Sequence, residues 1–159
     1  MANLFAANEI VKMSVDEEKA GEVFYRAWGE KSGNEKIKAE ALRIADMEKH
    51  HAEVFGKLLA RLGEPQAQET YRGEYQDYVD ALMADKEFGG AEGAEKLASS
   101  LSDLEAVNVA LRTEQKALLL YAFLEKQLDP ADHATVAAVI EEERGHVVDL
   151  TRLKKEVSG

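Results

Sequence analysis

The chain has 159 residues, a length that fits one domain of four core-spanning helices plus one substantial connection and leaves no room for a second large domain. Its formal net charge of −11, with 31 acidic residues, argues against a nucleic-acid backbone or an anionic membrane surface as partner. It has no cysteine, which excludes disulfides, thiolate-held zinc, iron–sulfur clusters and thiol nucleophiles, so any metal must be held by oxygen and imidazole.

The segment MANLFAANEIVK lacks a basic start followed by an apolar run, and no stretch of eighteen apolar residues occurs, so a soluble, cytoplasmic protein is expected. From about Asn8 to Glu30, Ile10, Val11, Val15, Gly21, Phe24, Tyr25 and Trp28 recur at helical spacing. The run KSGN, with Gly33 and Asn34, ends this first helix.

A second helix is expected over Glu35–Leu62 on the stripe Ile37, Ala41, Ile44, Ala45, Phe55, Leu58, Leu59 and Leu62, closed by Gly63 and Pro65. Residues 66–101 read as a long connection with a helix of its own, because Tyr71, Tyr75, Tyr78 and Leu82 recur every three or four positions, and FGGAEG at 88–93 reads as a flexible break.

Ser102 followed three residues later by Glu105 predicts a capping box opening the third long helix, whose stripe holds Leu104, Val107, Ala110, Leu111, Leu118, Tyr121 and Leu124. Asp129 as N-cap and Pro130 in the first turn start the fourth, carried by Val136, Val139, Ile140, Val147, Leu150 and Leu153. The predicted fold is all-α: a four-helix bundle of two repeated hairpins joined by a long helical connection, with residues 1–159 forming a single domain.

The repeat carries the chemistry. Glu18 stands seven residues before Tyr25, and Glu114 seven before Tyr121; two helical turns put each pair on one face. Glu48 and His51 are three apart in the second helix, as are Glu143 and His146 in the fourth, and this offset also shares a face. Glu18 precedes Glu48 by 30 positions and Glu114 precedes Glu143 by 29, so a helical hairpin of nearly constant length occurs twice.

Folding the halves together would gather four carboxylates and two imidazoles inside the bundle, a donor set suited to two divalent ions between facing helices. Buried carboxylates without partners are very costly, and two dications balance four carboxylates. Tyr25 and Tyr121 are either core aromatics or hydroxyl donors, each to a ligand carboxylate of the opposite half. Glu22 is an i,i+4 charge partner or a secondary carboxylate, and Glu17, Glu141 and Glu142 are alternatives if the register differs. His50 and His133 are expected to face solvent.

At these residues the sequence resembles the rubrerythrin branch of the ferritin-like superfamily, in which an E-x-x-A-x-x-F-Y helix precedes one with E-x-x-H and both recur. The resemblance implies Glu18 and Glu114 as terminal ligands, Glu48 and Glu143 as bridging carboxylates, and His51 and His146 as one imidazole per metal. It implies two iron ions as cofactor, with manganese or zinc as other ions the donors accept, and a non-haem oxidoreductase that reduces hydrogen peroxide or dioxygen with Tyr25 and Tyr121 beside the reacting centre. Ferrous-iron oxidation or storage and a purely structural metal-stabilised bundle are the alternative readings.

Two departures stand out. Rubrerythrins often carry a cysteine-ligated iron in a rubredoxin domain; here electrons would come from a separate donor protein. Many also carry an extra carboxylate one turn beyond the third-helix ligand, where this chain has Gln115, Lys116 and Ala117 after Glu114. A homodimer is expected, with no nucleic-acid or membrane partner.

Overall fold

The computed structural model describes residues 2–63, 77, 81, 84 and 87–159, with side chains from residue 7 onward. Among these residues the chain forms five helices: α1 (Ala2–Lys31), α2 (Glu35–Leu62), α3 (Gly90–Ser100), α4 (Asp103–Gln127) and α5 (Pro130–Ser158). The tyrosine-bearing helix expected around Tyr71, Tyr75, Tyr78 and Leu82 lies outside the described residues.

Each helix end has a local cause. The Asn34 side chain accepts hydrogen bonds from the backbone N–H groups of Lys36 and Ile37, at 3.0 and 3.3 Å, so Asn34 opens α2 as its N-cap. At the other end Gly63 takes φ +90°, and its N–H donates to the Leu59 carbonyl at 2.8 Å. The Asn8 side-chain amide donates to the Gly63 carbonyl at 2.8 Å, tying the start of α1 to the end of α2.

Ser102 and Glu105 form the capping box of α4. Asp129 occupies the N-cap of α5 and Pro130 its first turn, but the Asp129 side chain makes no capping bond; the fixed proline φ starts that helix. The glycine run at 88–93, expected as a flexible break, opens α3 instead: Gly89 holds the left-handed conformation at φ +59° and the helix begins at Gly90. Helix α3 packs on α1 through buried Ala94 and Ala98, and the Lys31 ammonium donates to the Leu101 carbonyl at 2.6 Å.

The long helices pair as two hairpins, α1 with α2 and α4 with α5, and the hairpins meet through α1 against α4 and α2 against α5. This is a four-helix bundle made of two hairpins. Trp28 Nε1 donates to Asp103 at 2.9 Å and Ser32 Oγ to the same carboxylate at 3.1 Å, which fixes the start of α4 against the first hairpin. Leu104, expected in the apolar stripe, is 39% exposed.

The apolar core falls into two clusters. One holds Phe24, Tyr25, Trp28, Ile37, Ile44, Val107, Leu150 and Leu153; the other holds Ile10, Val11, Phe55, Leu58, Tyr121, Leu124, Val136 and Ile140. Along every long helix the change from one cluster to the other falls where a buried glutamate, or a glutamate and a histidine, interrupts the apolar pattern. Burial of apolar side chains on both sides is the source of the stability that holds those polar groups in the interior.

Candidate metal centre

Glu18 on α1, Glu48 and His51 on α2, Glu114 on α4, and Glu143 and His146 on α5 are all buried, at 0–5% exposure. Acidic residues at such exposure are rare unless something compensates their charge. Their donor atoms form two groups, Glu18, Glu48, His51 and Glu143 in one and Glu48, Glu114, Glu143 and His146 in the other, with all atoms of a group within 4.8 Å of one another. Glu48 and Glu143 belong to both groups, so these two carboxylates lie between the sites and the remaining residues serve one site each.

The two imidazoles approach the cluster alike. His51 Nδ1 lies 3.0 Å from Glu143 Oε1, 3.5 Å from Glu18 Oε2 and 3.9 Å from Glu48 Oε1. His146 Nδ1 lies 2.9 Å from Glu143 Oε2, 3.5 Å from Glu48 Oε1 and 3.7 Å from Glu114 Oε1. The rings stand 5.8 Å apart between centroids, with one oxygen of Glu143 turned to each.

Both tyrosine hydroxyls cross between hairpins: Tyr25 donates to Glu114 Oε1 and Tyr121 to Glu18 Oε1. Tyr121 leaves Glu18 Oε2 to face His51, whereas the Glu114 Oε1 that accepts from Tyr25 is also the oxygen that faces His146. Burial, and then the neighbouring carboxylate, push both phenols well above their usual range, so they remain protonated donors.

The electrostatics show a centre under strain from its own charge. Burial pushes Glu48 and Glu143 well above the usual carboxylate range, and repulsion from the neighbouring glutamates adds to it. Burial would lower His51, but the Glu143 and Glu18 carboxylates outweigh it and hold the imidazole up at about 11; Glu114 and Glu143 do the same for His146, at about 9. For Glu114, burial is outweighed by hydrogen bonds from His146 and its other neighbours, and its pKa is lowered.

Among the described residues, Glu18 Oε2, Glu48 Oε1, His51 Nδ1 and Glu143 Oε1 are buried and converge as ion-pair contacts of 3.0–3.9 Å with no well-aligned hydrogen bond among them. Converging oxygen and imidazole donors that do not satisfy one another match the requirements of cations, and carboxylate with imidazole suits iron, manganese or zinc. The residues therefore fit a pair of divalent ions.

Close neighbours add detail that the spacing does not reveal. His51 Nε2 donates to Glu142 at 2.6 Å, across from α2 to α5. A Cβ on Gly21 would lie 2.5 Å from Glu48 Oε2, so the absence of a side chain there admits the Glu48 carboxylate. Glu22 pairs with Arg26 one turn on, at 3.3 Å, and Glu141 is exposed and pairs with Arg144. His50 is exposed, but His133, expected in solvent, is half-buried and donates to the Leu128 carbonyl at 3.0 Å, closing the turn between α4 and α5.

The comparisons agree with this geometry. Residues 9–103 match the rubrerythrin family model, a span that covers the first hairpin and the connection. A solved structure from Thermotoga maritima, provisionally assigned as a ferritin-like diiron-carboxylate protein, superimposes with a TM-score of 0.70 at 28% identity, covering 95% of each chain. No curated protein matches significantly. Among the described residues no helix is long and apolar enough to cross a membrane.

Proposed function

The chain belongs to the rubrerythrin family, and from that premise we propose that it is a non-haem di-iron oxidoreductase that reduces hydrogen peroxide with electrons from a separate donor. The observation that carries the reading is the sharing of Glu48 and Glu143 between two otherwise separate donor groups, which suits two ions held side by side. Glu18 and His51 complete one position, Glu114 and His146 the other, and the span 1–159 works as one domain because each hairpin supplies half of the donors.

A pair of ferrous ions held there would supply two electrons to the O–O bond of peroxide, which with two protons gives two molecules of water. The protein residues do the rest. Tyr25 and Tyr121 fix the rotation of Glu114 and Glu18 and so hold each carboxylate against the cluster. The two apolar clusters exclude bulk water on both sides. The chain has no cysteine with which to hold an iron–sulfur relay, so the two electrons that restore the centre come from another molecule.

The test is peroxide turnover by the anaerobically iron-loaded chain, with dithionite-reduced methyl viologen as donor. Oxidation of two ferrous ions per peroxide, followed by repeated turnover, is the expected result. Ferrous ion consumed far beyond two per chain and kept as ferric mineral would replace this reading with iron storage, and a centre inert to peroxide would leave a structural metal.

A further inference from the structure

Superposing the repeat in the sequence, Glu48 on Glu143, places Met47 opposite Glu142. Glu142 meets the outer nitrogen of one of the two imidazoles. His51 Nε2 donates to the Glu142 carboxylate at 2.6 Å, whereas His146 Nε2 is buried and has no partner among the described residues.

The rest of the centre is matched between halves. Each position has one unshared glutamate and one histidine, and each unshared glutamate takes one tyrosine hydroxyl from the opposite hairpin. Glu48 and Glu143 serve both positions and cannot distinguish them. Gly21 acts on Glu48, so its effect is shared too. Among the described residues that these contacts name, Glu142 bears on one position and has no counterpart at the other.

Resting on the metal-centre reading, we propose that Glu142 is a positioning residue that makes the two metal positions unequal, the His51 position binding the more tightly and filling first. An imidazole that ligates through one nitrogen donates more strongly when its other N–H is bonded to a carboxylate, and its ring is held in one orientation. His51 has both advantages. His146 keeps a buried N–H with no acceptor among the described residues, which weakens it as a donor. Two-electron chemistry needs both ions, so occupancy of the His146 position sets the active fraction when metal is scarce.

The experiment is an anaerobic titration of the metal-stripped full-length chain with cobalt(II), followed by calorimetry and by visible absorption. The parent is expected to take up two ions in separate steps. Glu142→Gln is expected to weaken the tighter step roughly tenfold and leave the other unmoved, merging the two. The Glu142 side chain is 41% exposed, so the variant should fold, and an unchanged helical signal and melting curve of its metal-free form check that it does. Two ions bound with a single affinity in the parent, or both steps weakened by the same factor in Glu142→Gln, would overturn the inequality while leaving the centre intact. Failure of the parent to bind cobalt would overturn the metal centre, and this inference with it.

Discussion

The hydroxyl of Tyr25 on α1 donates to Glu114 on α4, 89 residues away in sequence, and this bond joins the two hairpins at the charged layer of the bundle. Tyr121 and Glu18 make the reciprocal bond over a separation of 103 residues. Replacing either tyrosine by phenylalanine leaves a buried carboxylate oxygen without its donor, a loss of about 1–3 kcal/mol. Urea unfolding of Tyr25→Phe and Tyr121→Phe should show it. The double variant should depart from additivity by about 0.5 kcal/mol or more, because the two carboxylates belong to one cluster.

Gly21→Ala separates stability from metal binding. The added methyl would meet the far end of the flexible Glu48 side chain, which can swing away, and alanine is favoured over glycine inside a helix by about 1 kcal/mol. The metal-free variant should therefore be as stable as the parent or slightly more so. Its iron affinity should fall, by roughly tenfold or more, because the shared carboxylate is displaced. Thermal melting and an iron-binding isotherm on the same preparation check the two signs together.

The stability of the metal-free chain should fall as pH rises. His51 and His146 have folded-state pKa values of about 11 and about 9 against the usual 6.5, so the folded chain holds protons that the unfolded chain has released. Their stabilisation is fully present below about pH 6.5 and is lost as pH climbs through about 9 and then about 11. Glu48 and Glu143, raised above the usual carboxylate range, act in the same direction. A series of melting curves from pH 6 to 10 on metal-stripped protein should slope downward, and a flat or rising series would contradict the charge balance described here.

Loading the centre should raise the melting temperature near neutral pH, since ions that bind the folded state alone stabilise it. At a hundredfold excess over the dissociation constant this amounts to about 2.7 kcal/mol per site. Melting curves with and without ferrous ion, recorded anaerobically, measure it.

The fold was legible because the sequence marks its helix ends with chemistry. Asn34, Gly63, Ser102 with Glu105, and Pro130 each bound a helix where a local rule places one. Helix α3 was harder to see: its buried face is Ala94 and Ala98, too small to stand out as an apolar stripe, and Gly89 and Gly90 at its start look like a break. At the centre, helical period alone aligned Glu48 with His51 and Glu143 with His146, because those pairs lie within one helix.

Contacts between helices were beyond that kind of reading. Glu142 meets His51 because α5 lies against α2, and no spacing rule links residues 91 apart. Gly21 admits Glu48 for the same reason, and a lone glycine in a helix gives no sign of which neighbour fills its space. His133, expected in solvent from its place in the first turn of α5, finds the Leu128 carbonyl across the turn instead.

The most direct test of a two-metal centre is the iron content of anaerobically purified, iron-reconstituted protein, measured beside Glu48→Ala and His146→Ala. The shared role of Glu48 predicts about two irons per chain in the parent, loss of both in Glu48→Ala, and loss of at least the His146-bound ion in His146→Ala. Parent protein without iron, or iron content untouched by either substitution, would contradict the account and reduce the buried glutamates and histidines to parts of the architecture.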